Sequence, residues 1–143
     1  MYETLQSLHS WWAYLALAVL LFAVVNAIAG YVSKRTFEAK DLRISLFALI
    51  FSHIQLVLGL LVWFVSPVGI QAFGTEGAMK NAELRLTMLE HPLINIIAIA
   101  LITIGWSKHK KSEGTVKFRK ILFFYTLGLL FILSRIPWSK WLG

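Results

Sequence analysis

Charged side chains in this chain are confined to bands, and the stretches between the bands dictate what it can fold into. No Asp, Glu, Lys or Arg occurs between Glu3 and Lys34, a gap of 30 residues, or between Arg43 and Glu76, a gap of 32. Two shorter gaps run from Glu90 to Lys108 (17 residues) and from Lys120 to Arg135 (14 residues). A helix that crosses the hydrocarbon of a bilayer needs about 20 mostly apolar residues. The first two gaps exceed that length. The other two reach it if Glu90, His91 and Arg135 lie near the headgroups or face the interior. The pattern predicts an all-α protein of one domain, residues 1–143, with four transmembrane helices near 9–32, 44–66, 86–106 and 120–139.

Composition agrees with this reading and excludes others. Hydrophobic residues make up 58% and charged residues 15%, where a soluble surface calls for roughly 25% charged. A soluble enzyme and a disordered chain are both excluded. The absence of cysteine removes disulfide frameworks, thiolate metal sites, iron–sulfur clusters and cysteine nucleophiles. The leading residues MYETLQSLHS carry no Lys or Arg, and the apolar run behind them is too long for a signal-peptide core, so the first helix is expected to stay in the protein. The segment 67–82 (PVGIQAFGTEGAMKNA) has the Pro and Gly of an irregular excursion, with a short amphipathic entry into the third helix from Met79.

Orientation follows from where the cations lie. The connections 33–43 and 107–120 together hold ten of the fourteen Lys and Arg, and in a four-helix chain both fall on one side. The positive-inside rule places them in the cytoplasm, so an up-down antiparallel bundle has both termini and the 67–85 loop outside. Anionic lipid headgroups account for the basic balance, and nucleic acid does not. Trp11, Trp12, Trp63, Trp138 and Trp141 fall at the outer interface and Trp106 at the inner one, as aromatic belts do.

Function must come from polar groups that a lipid-facing helix would not carry: His9, Asn26, His53, Gln55, His91, Asn95 and Arg135. Each also has a plain structural reading. His53 and Gln55 serve as interhelical hydrogen-bonding groups, His9 and His91 as interfacial residues, and Arg135 snorkels past Pro137 and Trp138 to the headgroups. His109, in a lysine-rich connection, is expected to be solvated. By helical rise His53 lies about 15 Å above Arg43, His91 about 25 Å above Lys108, Arg135 about 22 Å above Lys120 and His9 about 37 Å above Lys34. Depth therefore favours His53 with His91, and His9 with His91 second. Asn95 shares the face of His91, four residues on. Gly59, six residues after His53, reads as helix packing, as do Ala23 with Ala27 and Asn26 with Gly30.

Two histidines on different helices, with no cysteine and no acid at mid-depth, suit a restricted chemistry. Neutral imidazoles ligate haem iron, and bundle cores hold such cofactors. Copper accepts imidazoles alone, whereas zinc would need a third histidine. Arg135 would satisfy a carboxylate of the cofactor.

The runs LHSWWAYLALAVLL, SLFALIFSHIQLVLGLLVWFVSP and MLEHPLINIIAIALITIGWSK resemble a family of small four-helix bacterial membrane proteins of Bacteroidetes type that carry the label cytochrome B. The similarity extends over essentially the whole chain. More distantly, His53, Gln55 and Gly59 together with His91 are similar to the half-bundle of haem A synthase, from which the chain departs in having a single four-helix unit. The resemblance implies a bacterial inner-membrane protein with periplasmic termini and haem b held between helices by imidazoles, drawn from His9, His53 and His91. It would carry single electrons between a quinol and other redox membrane proteins, as a carrier or subunit rather than a self-contained enzyme, with homo-oligomers possible. The alternative is a cofactor-free accessory subunit whose histidines hold helices together.

Overall fold

A computed structural model describes residues 1–141, and these form only helices and connecting turns. Helix α1 spans Tyr2–Ser33 and α2 spans Ala39–Val65. Short 3-10 turns at Ile70–Gly74 and Ala78–Lys80 fill the next connection. Helix α3, Ala82–Arg85, is capped by the Asn81 side chain, which accepts from the Glu83 and Leu84 amides, and it passes through a π-turn at Leu86–Glu90 into α4, His91–Lys110. Helices α5, Val116–Ser134, and α6, Trp138–Trp141, complete the described chain.

Several boundaries differ from the sequence reading for simple reasons. Nothing before His9 breaks a helix, so α1 begins at Tyr2. The last long helix starts at Val116 and stops at Ser134, short of Pro137, whose ring and missing N–H do not continue a helix. Three helices are long and apolar enough to cross a membrane: α1, α2 with its continuation to Gly74, and α4 with its α3 entry. Helix α5 carries Lys117, Arg119 and Lys120 in its first turns. Large apolar side chains such as Phe22, Val25, Phe47, Val57, Leu93, Phe123 and Leu130 point outward and are exposed, a coat that suits lipid and marks a membrane protein.

Packing follows a repeat averaging 3.5 residues, which keeps one stripe of each helix facing its neighbours. The buried stripes run Ala16, Leu20, Ala23, Ala27, Gly30 on α1 and Asp41, Ser45, Ala48, Ser52 on α2. They run Ala98, Ile102, Gly105, His109 on α4 and Phe118, Ile121, Tyr125, Gly128 on α5. Small residues let the backbones close up. A Cβ at Gly128 would lie 2.7 Å from Ile102 and 3.0 Å from the Ala98 carbonyl, and one at Gly30 would collide with Phe118. Helix α1 packs on α2 and α5, and α4 packs on the same two, so α2 and α5 stand between α1 and α4.

Several polar residues inside this packing are paired. Asp41, buried at the start of α2, accepts from Arg35 Nη1 at 2.8 and 2.9 Å, from Asn26 Nδ2 at 2.8 Å and from the Glu38 amide at 2.8 Å. Arg35 Nη2 donates to Asn26 Oδ1 at 3.0 Å, and its guanidinium lies 4.8 Å from the centre of the Phe118 ring. The bond to Asp41 raises the pKa of Arg35 further. Asn26, read from sequence as a packing residue, is thus part of a hydrogen-bonded cluster. His109 is fully buried rather than solvated: it packs against Phe37 and Trp106, and its Nδ1 lies 2.7 Å from the Trp106 carbonyl.

Candidate functional site

The stripe of α1, continued seven residues before Ala16, arrives at His9. The stripe of α4, traced back from Ala98, passes Asn95 and arrives at His91. Both histidines therefore point inward near the same end of the molecule. Their rings lie 6.2 Å apart between centroids, at 74° to each other. They line a cavity of about 520 Å³, within the ~300–1,000 Å³ range of small-molecule sites. Small residues open it: Ala13 and Ala16 on α1, and Ser52 and Gly59 on α2. Leu20 and Ile99 close its floor, while Tyr2, Gln6, Lys140 and Trp141 line the opposite end.

Each histidine is held by its surroundings. His91 Nδ1 lies 3.0 Å from the Arg135 carbonyl. A carbonyl only accepts, so Nδ1 carries the hydrogen and Nε2 keeps a lone pair, an assignment that rests on this bond. Asn95 Nδ2 donates to the His91 carbonyl at 2.6 Å. Gln55 Nε2 donates to the His9 carbonyl at 3.0 Å, tying α2 to α1. Gly59 makes room for the His9 ring, since a Cβ there would stand 3.0 Å from Cε1. The His9 Nδ1 is buried and has no hydrogen-bond partner.

The π-turn immediately before His91 sets its direction. One extra residue in the turn rotates everything after it by about 100° relative to a regular helix. Glu90 is clamped in that turn by Arg85 at 2.9 Å and approached by Arg135 at 3.8 Å, and the freed Met88 carbonyl accepts from Trp63 Nε1 at 2.8 Å.

The structure brings His9, His91 and Asn95 together and leaves His53 out. His53 is exposed on the outer side of α2, with Nδ1 2.8 Å from the Leu49 carbonyl and Nε2 3.3 Å from Thr103 Oγ1. Depth alone had favoured it; helical phase rejects it, because residue 53 stands one position beyond the inward Ser52. Arg135 contributes its backbone carbonyl only. Its guanidinium bonds the Ser134 carbonyl at 2.9 Å and faces Glu90 outside the cavity, so it is not placed to meet a carboxylate within. Lys140, Gly59 and Trp63 line the cavity and were missed as site residues. Gly59 was visible in principle, lying seven residues from both Ser52 and Ser66 on one stripe of small residues.

Chemically, the site offers two imidazoles facing one another in apolar surroundings. No cluster of three or more His, Cys, Asp or Glu capable of holding a metal occurs among the described residues. Comparison of the chain with protein-family models, with curated proteins and with solved structures finds no match.

Proposed function

We propose that this chain is a b-type membrane cytochrome of the bacterial inner membrane, with haem b held between His9 and His91. In this reading α1, α2, α4 and α5 form an antiparallel up-down bundle crossing at about 20°. The two basic connections face the cytoplasm and both termini the periplasm.

The observation that carries the reading is the His9–His91 separation. Two imidazoles that hold one iron through bonds of ~2 Å must stand close together on either side of it, and these rings stand 6.2 Å apart between centroids. The donor set fits as well. Two imidazoles in a cavity lined by no thiolate or carboxylate match bis-imidazole haem ligation, and the helices that carry them are separated by α2 and α5, which leaves interior volume. Bound there, haem b supplies one-electron chemistry at its iron. The chain's own contributions are specific. The Arg135 carbonyl fixes the tautomer and ring plane of His91, Asn95 secures the backbone of that turn, and Gly59 clears the place of the His9 ring. Leu17, Leu20, Ile99 and Ile132 keep water from the floor. A quinol in the bilayer is the proposed electron source.

A cofactor-free accessory subunit is the competing reading, favoured by the interhelical bonds that Gln55 and His91 already make. Haem and metal content of protein purified from haem-replete cells decides between them. Near-stoichiometric iron with a Soret band that sharpens on dithionite reduction is expected. Colourless, iron-free, monodisperse protein would overturn the proposal.

A further inference from the structure

The interior stripe of α1 does not end at His9. It continues by the same alternation of three and four residues through Gln6 to Tyr2, and both line the cavity at the end away from its floor. Along this one stripe the chemistry changes in order. Leu20, Ala16 and Ala13 are apolar, His9 carries a ring nitrogen without a partner, and Gln6 and Tyr2 bring an amide and a phenol. By helical rise Gln6 lies about 5 Å beyond His9 and Tyr2 about 10 Å beyond it.

Lys140 completes the gradient. It is the only Asp, Glu, Lys or Arg among the described residues that line the cavity. Helix α6 carries it to the mouth. The Trp141 ring packs 4.7 Å from the Tyr14 ring of α1 between centroids, and the Pro137 carbonyl accepts from the Lys140 and Trp141 amides at 3.0 Å. One cation with no lining Asp or Glu gives this end of the cavity a field that favours an anion. The phenol of Tyr2 and the amide of Gln6 add neutral donors that a carboxylate accepts from. The guanidinium of Arg135 is engaged elsewhere, with the Ser134 carbonyl and Glu90.

We infer that the mouth of the cavity is a carboxylate subsite in which Lys140, Tyr2 and Gln6 receive the propionate groups of the haem. The inference rests on the haem reading above and adds an orientation to it. Haem b is an apolar macrocycle with both carboxylates on one edge, and the stripe of α1 has the same order of polarity. The carboxylate edge therefore faces α6 and the first turns of α1, and the apolar edge faces Leu20 and Ile99 at the floor.

Two probes separate this subsite from the histidine site: haemin, and haemin dimethyl ester, in which both carboxylates are blocked. The full chain from haem-deprived cells is titrated with each in a neutral detergent and followed at the Soret band. Partition of a probe into detergent is common to all variants, so the ratio of the two affinities is compared between proteins. Lys140→Gln is expected to lower the preference for haemin about fivefold, the upper end for an ion pair open to water. Lys140→Arg should keep the preference, and so should Lys80→Gln, which removes a cation of the α2–α3 connection outside the cavity. Added salt should shrink the preference of the parent toward that of Lys140→Gln. Lys140 is exposed, so the fold is not at risk, and a low-spin spectrum in each variant reads His9 and His91 separately. An unchanged preference in Lys140→Gln, with low-spin haem still bound, would overturn the subsite and leave the histidine site standing. An equal fall in Lys80→Gln would overturn it as a general effect of charge. A parent that binds neither probe would overturn both readings.

Discussion

The ring of His9 meets the ring of His91 at 6.2 Å although the helices that carry them are held apart by α2 and α5. Residues on helices that do not pack on one another approach this closely only where the intervening helices present small side chains, and Ser52 and Gly59 of α2 do so here. The site is therefore a product of the bundle's interior repeat and not of any local motif.

Gly59 is the most sensitive of these positions. A methyl group at residue 59 would stand 3.0 Å from the His9 ring, so Gly59→Ala fits only after a shift of a few tenths of an ångström. Gly59→Leu is expected to drive the His9 ring out of place, costing about 1–3 kcal/mol of stability and the cofactor with it. Thermal unfolding in detergent together with haem retention measures both; retention of haem by the leucine variant would remove Gly59 from the account.

Asp41 anchors the opposite end. It is buried and accepts four hydrogen bonds, from Arg35 twice, from Asn26 and from the Glu38 amide. Asp41→Ala is expected to destabilise the protein by about 2–3 kcal/mol, the range for losing bonds to a charged group. Arg35→Met should cost at least as much, because it leaves the buried Asp41 carboxylate without its cation, and the double variant should cost less than the two together because the residues share one network. Additive losses in a thermal series would show that the cluster does not act as a unit.

Topology has a direct check. Cysteines placed at Ser112, in the connection between α4 and α5, and at Ser139, in α6, are expected to react with an impermeant label from opposite faces of the membrane. Labelling of both from the same face contradicts an antiparallel four-helix arrangement.

Much of this architecture was legible in the charge pattern, because a buried unpaired charge is expensive and long uncharged stretches cannot be loops. The stretches after Glu3 and after Arg43 fall within α1 and α2 and the connection that follows α2. The site was only partly legible. Asn95 followed from its four-residue offset to His91. His53 was misjudged because depth measures position along a helix and says nothing of direction around it. The repeat through Ser45, Ser52, Gly59 and Ser66 carries that second coordinate and turns His53 outward. Arg135 misled for another reason: its charge drew attention, whereas its backbone carbonyl makes the contact. The burial of His109 depends on Phe37 folding back from the α1–α2 connection, a tertiary event with no local signature.

Electron paramagnetic resonance of the oxidised protein tests most directly whether haem is bound as proposed and by which histidines. The parent and the His53→Ala variant are expected to show the same low-spin ferric signal of bis-imidazole iron. His9→Ala and His91→Ala should each lose that signal, by conversion to high spin or loss of haem. A low-spin signal that survives His9→Ala and disappears in His53→Ala would contradict the account.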